Sequence, residues 1–157
     1  MTTGSLYQIN SSRGGVPKLP MLEATIGELG IEGDAVAHPD IHGGPERAVS
    51  LFSVERIAAL VAEGHPIASG TTGENLTLEG IDWDRIVPEI RLRIGADVVL
   101  EITRYTTPCA TIRGSFKDKD SNRIHQNLHP GWSRAYARVI NGGVIRPGDR
   151  VDLFGDS

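Results

Sequence analysis

The sequence predicts a mainly β protein with a few helices, built as a small closed barrel of short strands. Glycine supplies 19 of the 157 residues and proline 9. At helix-interior costs of about 1 and about 3 kcal/mol respectively, that composition excludes a bundle of long helices. Apolar residues recur in short alternating runs, about eight or nine of them, separated by Gly and Asp turns. Closing such a set into a barrel removes the exposed edges that a strand-rich protein must otherwise protect. With 39% of residues hydrophobic, one core is expected, and hence a single domain over residues 1–157 with its body at about 5–153.

The first strand is read at Leu6 to Asn10, which runs into the polar loop Ser11 to Gly15. A second extended piece is expected at Ala24 to Ile26, with turns at Gly30 and Gly33-Asp34. The stretch Ala35 to Arg47 has neither helical nor strand period, and a loop that long in a small domain is usually either functional or disordered. Ala48 to Phe52 reads as a buried strand. Ser53 then caps a helix over Val54 to Glu63, with Ile57, Leu60 and Val61 on its apolar face and Gly64 at its end. Leu76 to Leu78 is a short strand. Ile90 to Ile94 and Val98 to Ile102 form a hairpin across Gly95-Ala96-Asp97. A short helix is expected over Asp120 to Leu128, ended by His129-Pro130-Gly131. Ala135 to Ile140, Gly142 to Ile145 and Arg150 to Phe154 close the barrel, with Pro147-Gly148-Asp149 as the last turn.

Charge and cysteine content narrow the setting. Sixteen Lys and Arg against twenty Asp and Glu give a net charge of −4, so no nucleic acid partner is expected. The start, Met1 to Ser5, carries no signal-peptide pattern and no run is long enough to span a bilayer, so the expectation is a cytoplasmic protein with no membrane partner. The one cysteine, Cys109, cannot form an internal disulfide. It is either a packing residue or a working thiol.

Several residues carry chemistry. Cys109 follows Thr106-Thr107-Pro108 at the end of a strand, where Pro108 stiffens the approach. Arg104 and Arg113 lie near it in sequence, and either would favour the thiolate if it faced the same pocket. His38 and His42 are four apart, but Pro39 and Gly43-Gly44 argue against the helix that a zinc pair would need. Gly43 and Gly44 instead let backbone approach a ligand, with Arg47 as an anion contact. Gly73-Glu74-Asn75 reads either as an ordinary turn or as a site in which the glycine gives the bend and Asn75 offers both donor and acceptor to a heterocycle. Arg134 and Arg138 share a face of an expected strand and read locally as a solvated pair.

Taken in order, these strings resemble the MOSC family, named from the C-terminal domain of molybdenum cofactor sulfurase. They are Gly30-Ile31-Glu32-Gly33-Asp34, His42-Gly43-Gly44-Pro45-Glu46-Arg47-Ala48-Val49, Gly73-Glu74-Asn75-Leu76-Thr77, Pro108-Cys109, Gly131-Trp132-Ser133-Arg134 and Gly148-Asp149. The resemblance implies a barrel fold and a molybdenum cofactor in which a pterin dithiolene holds the metal and the Cys109 thiolate ligates it. It implies Arg47 and Arg134 as partners of the cofactor phosphate, Gly43, Gly44, Gly73 and Asn75 as cofactor contacts, and His42 and Glu74 as residues that order the pocket or move protons. Many reductases of the family carry a Pro-Arg pair shortly before Pro-Cys. Here the residues are Arg104-Tyr105-Thr106-Thr107, which resembles a small stand-alone branch. No flavin, ferredoxin or pyridoxal phosphate module is expected, so reduction of a small N-hydroxylated substrate needs an external redox partner. Carriage of sulfur from a donor protein, or of the cofactor itself, is the alternative, and a small-molecule-binding barrel with a structural cysteine is the third.

Overall fold

Alternating apolar residues form the strands, and the pairing closes them into a ring. In the computed structural model, residues 3–12, 16–34 and 44–155 are described. The strands are β1 (Thr3–Ser11), β2 (Leu19–Met21), β3 (Ala24–Gly27), β4 (Gly30–Ile31), β5 (Val49–Ser53) and β6 (Leu76–Glu79). They are followed by β7 (Arg91–Ile94), β8 (Val98–Tyr105), β9 (Ala135–Asn141), β10 (Gly143–Ile145) and β11 (Arg150–Phe154). Seven run in the order β11-β7-β8-β9-β5-β6-β1, and β1 pairs back onto β11 with Gly4 opposite Val151. The closed ring has no free edge. β2 extends β1 beyond the ring, while β3, β4 and β10 form a separate three-stranded sheet.

The barrel interior follows the period of two. Leu92 and Ile94 of β7 and Val98, Leu100 and Ile102 of β8 are buried, while Arg93 and Thr103 point away. β5 and β6 are parallel, which requires a crossover, and the helix α1 (Val54–Ala62) lies in it. Ser53 starts this helix as expected, its hydroxyl accepting from the Arg56 N–H at 3.1 Å. Ile57 and Leu60 are buried, but Val61 is 51% exposed. Four residues on from Ile57, it lies across the stripe from Leu60.

The helix expected over Asp120 to Leu128 is reduced to a 3-10 turn, Ser121–Ile124. Asp120 caps that turn by accepting from the Asn122 N–H at 3.0 Å. Ile124 is buried but Leu128 is 59% exposed, so no apolar face exists to sustain a longer helix. Two strands had no clear signal: β2, which contains Pro20, and the two-residue β4. Arg134 and Arg138 are not a solvated pair, since Arg134 is buried and Arg138 is exposed and bonded to Glu101. Among the described residues, no helix is long and apolar enough to cross a membrane.

Candidate functional site

β8 and β9 deliver the cysteine. Their last ladder pair is Tyr105 with Ala135, beyond which the Thr106 N–H donates to the Arg134 carbonyl at 3.0 Å. The chain then leaves the sheet through Thr107 and Pro108 and reaches Cys109 in extended backbone, just before the 3-10 helix Ala110–Ser115. The thiol is free and half-buried. Its Sγ lies 2.8 Å from Thr111 Oγ1, and the Cys109 carbonyl accepts from Ile112 N–H and the Ser121 hydroxyl, both at 3.3 Å. Both sides of the residue are therefore fixed, and the sulfur keeps a path to solvent.

Arg134 is 6% exposed. Its Nη1 donates to the Thr72 carbonyl at 2.5 Å, but its Nε is buried with no partner among the described residues. Burial pulls the guanidinium below its ordinary range, against the attraction of Tyr136, Glu74 and the Cys109 sulfur. Tyr136 is pushed up by burial, and Arg134, Arg47 and Arg104 oppose that push. Arg47 also sits with its guanidinium carbon 6.0 Å from the centre of the Tyr136 ring. One sulfur and three arginines thus act on a single buried phenol, an electropositive surround for an anion.

The segment from Gly70 to Asn75 supports Arg134 from the other side. Glu74 is fully buried and its carboxylate accepts from Gly70 N–H (3.0 Å), the Thr72 hydroxyl (2.8 Å) and the Thr77 hydroxyl (3.2 Å). Burial raises its pKa, while those bonds and Arg134 pull it back. Asn75 accepts from Ser50 N–H at 3.0 Å and donates to Asp34 at 2.9 Å and to the Asn10 carbonyl at 3.4 Å. Gly70 must be glycine here: its φ is +86° and a Cβ would stand 2.3 Å from the Lys18 carbonyl. At Gly73, φ is +80° and a Cβ would touch Val16 at 3.0 Å.

Arg134 is therefore within electrostatic range of both Cys109 and Glu74, and Tyr136 of Arg134, Arg47 and Cys109, with Gly73 and Asn75 in the supporting turn. Gly44 is exposed and precedes the 3-10 turn Pro45–Arg47. His38, His42 and Gly43 lie outside the described residues. Thr72 and Thr106, which bond to Arg134 directly, escaped the sequence reading because only the assembled turn after Gly70 and the end of the β8–β9 ladder bring them to it. Among the described residues, no group of three His, Cys, Asp or Glu side chains is placed to hold a metal ion. Cys109 is not among the residues lining a cavity of about 220 Å³ bounded by Trp83, Ile86, Tyr105, Gln126, Pro130 and Ser133.

A family model described as the MOSC domain matches residues 38–152. YflK of Bacillus subtilis is 26% identical over 124 residues, 78% of this chain and 55% of that protein. YiiM of Escherichia coli is 27% identical over 127 residues, again 78% and 55%. A protein of Gibberella moniliformis named reductase is 30% identical over 130 residues, 80% of this chain but 22% of its own length. The chain thus spans about half, or less, of the curated relatives it matches. Crystal structures share the fold. YiiM from Geobacillus stearothermophilus has a TM-score of 0.74 at 21% identity, over 97% of this chain and 75% of that one. The YUAD protein from Bacillus subtilis has 0.75 at 17%, over 99% and 97%. Ordered motifs, a seven-strand closed barrel and a family match over most of its length agree, and the chain belongs to the MOSC domain family.

Proposed function

We propose that this chain is a molybdenum-cofactor-binding oxidoreductase that reduces N-hydroxylated compounds to amines with electrons from an external donor, Cys109 being the protein ligand to molybdenum. Its family is associated with that cofactor, and one matched relative carries the name reductase. The observation that carries the reading is the buried Arg134 Nε without a partner among the described residues, in electrostatic range of a half-open thiol. Native interiors rarely keep such a donor unless a ligand, ion or water takes it. A thiolate suits molybdenum and a guanidinium suits a phosphate, so the donor set fits the group.

When bound, the cofactor supplies a two-electron centre able to accept an oxygen atom. In this reading Cys109 ligates through sulfur, and the Thr111 hydroxyl, 2.8 Å away, donates to it and fixes its direction. Arg47 and Arg134 hold the phosphate, while Gly43, Gly44 and Gly73 leave room for the ligand. Glu74 balances the charge of Arg134. Asn75, whose amide is engaged with Ser50, Asp34 and Asn10, shapes the backbone that meets the cofactor, and His42 carries protons. Conversion of R–NHOH to R–NH₂ and water consumes two electrons and two protons, so an external redox partner completes the cycle.

The half-open thiol also suits a carrier that holds sulfur as a Cys109 persulfide, or that ferries the cofactor. Wild type and Cys109→Ser, expressed in cells that make the cofactor, separate the two when molybdenum, pterin, labile sulfur and turnover of a hydroxylamino base are measured. Stoichiometric molybdenum with turnover, both lost in the serine variant, is the expected result. A wild type free of molybdenum defeats the reading, and labile sulfur or molybdenum without turnover favours carriage.

A further inference from the structure

Thr106 shares the buried surroundings of Arg134. The residue is 3% exposed, and its Oγ1 is enclosed with no partner among the described residues. Because Tyr105 stands opposite Ala135, the next opposed pair is Thr106 and Arg134, tied by the Thr106 N–H to the Arg134 carbonyl at 3.0 Å. Opposed residues of an antiparallel pair project to the same side, with Cβ atoms about 5 Å apart. Two buried polar groups without partners, a hydroxyl and a guanidinium N–H, thus stand on one side of one strand end, at the root of the Cys109 loop.

Ser133 supplies the contrast. Its hydroxyl is as deeply buried, yet it donates to the Thr106 carbonyl at 3.2 Å and the Arg134 carbonyl at 2.6 Å. The Ser133 hydroxyl thus finds protein acceptors beside the same strand end where the Thr106 hydroxyl finds none among the described residues. Leaving a buried polar group unpaired is costly, and two side by side call for one common partner. Nε only donates and the threonine hydroxyl can donate, so the complement is an acceptor, and the cationic surround of Arg134, Arg47 and Arg104 about Tyr136 favours negative charge.

We infer that Thr106 and Arg134 together grip one oxyanionic group, a phosphate monoester or a free tetrahedral oxyanion, with the Thr106 hydroxyl as a ligand-binding donor. This rests on the proposed reading of the site as one that holds an anionic cofactor, and names the residue that shares the anion with Arg134.

The test uses the full chain, purified without cofactor, and titrates inorganic phosphate and molybdate into wild type, Thr106→Val and Thr106→Ser by calorimetry. Wild type and Thr106→Ser bind phosphate, and Thr106→Val loses about tenfold or more in affinity, as loss of one hydrogen bond to a charged group requires. Without any oxyanion, Thr106→Val melts at or above the wild-type temperature, because valine removes an unpaired buried hydroxyl. Equal affinity of wild type and Thr106→Val for the oxyanion that the wild type binds, binding of neither phosphate nor molybdate by wild type, or a valine variant melting several degrees lower in oxyanion-free buffer overturns the inference. Binding of molybdate but not phosphate assigns the grip to a free oxyanion, and the reverse assigns it to a phosphate group. The two readings fail separately. Wild type without molybdenum from cofactor-replete cells, yet binding phosphate through Thr106, defeats the cofactor alone. Equal molybdenum content and equal phosphate affinity in wild type and Thr106→Val defeat the grip alone.

Discussion

Glu74 and Arg134 meet across one residue: the Glu74 carboxylate accepts from the Thr72 hydroxyl at 2.8 Å, and Arg134 Nη1 donates to the Thr72 carbonyl at 2.5 Å. The charges are bridged rather than in contact, and both are buried. Replacing Glu74 by Ala removes the counter-charge of Arg134 and strands the Gly70 N–H and the Thr72 and Thr77 hydroxyls. A loss of about 3–5 kcal/mol is expected in urea denaturation, the range for breaking a buried charge pair from one side. Thr72→Val removes only the hydroxyl link and is expected to cost about 1–2 kcal/mol. Equal costs for the two variants would show that the bridge, not the charge, is what matters.

Stability toward acid is expected to depend on Glu63. Hydrogen bonding by Arg123, at 2.9 and 2.7 Å, is the largest cause holding its pKa at about 2 instead of 4.5, with His65 assisting. A depressed carboxylate contributes stability that is present above the unfolded value of 4.5 and is lost as pH falls toward 2. The side chain is 40% exposed, so solvent screening limits the contribution to about 1 kcal/mol. Glu74 has the opposite sign. Its pKa is raised by burial, so its contribution is present below the unfolded value and is lost as pH rises through the folded one. Denaturation midpoints of Glu63→Gln should therefore fall less than those of wild type between about pH 4.5 and about pH 2.5. Parallel curves would refute the assignment.

The strands that were legible in sequence are those whose side chains face one core. Ile90 to Ile94 and Val98 to Ile102 alternate because the barrel buries every second residue, and Ser53 announces α1 by a local cap. The closure of β1 onto β11 joins residues at the two ends of the chain, which no local pattern encodes. The 3-10 turn at Ser121–Ile124 was misread because an apolar spacing of four implies a helix only when both residues find a core. Of the residues brought together at the candidate site, Cys109 and Arg134 are singled out by the order of the motifs. Thr106 and Thr72 were silent: a threonine's unpaired hydroxyl or shared carbonyl exists only once β8, β9 and the turn after Gly70 are assembled.

Trp132 should act as the clamp on the segment that carries Arg134. Arg123 lies 4.2 Å from its ring centre and Arg56 4.9 Å, and Arg56 Nε also donates to the Gly131 carbonyl at 2.9 Å. Trp132→Phe keeps an aromatic face and is expected to cost about 1 kcal/mol, whereas Trp132→Ala loses the ring and both cation–π contacts, at about 2–4 kcal/mol. Denaturation of the two variants measures this, and an alanine variant as stable as the phenylalanine one would remove the clamp.

A buried ion pair anchors the far side of the same turn. Asp34 receives Lys18 Nζ at 2.6 Å, Asn75 Nδ2 at 2.9 Å and the Ser12 N–H at 2.9 Å, and the side chains of Lys18 and Asp34 are 7% and 10% exposed. The two ends are not equivalent. In Lys18→Met the carboxylate keeps two neutral donors, so a cost of about 2–3 kcal/mol is expected, below the usual figure for a broken buried pair. In Asp34→Leu the ammonium loses its acceptor, and Asn75 Nδ2 and the Ser12 N–H lose theirs, so about 3–5 kcal/mol is expected. Because each single variant strands the other charge, the double variant should be more stable than the sum of the single losses predicts, by at least about 1 kcal/mol. Strict additivity in denaturant melts would mean that Lys18 and Asp34 act independently.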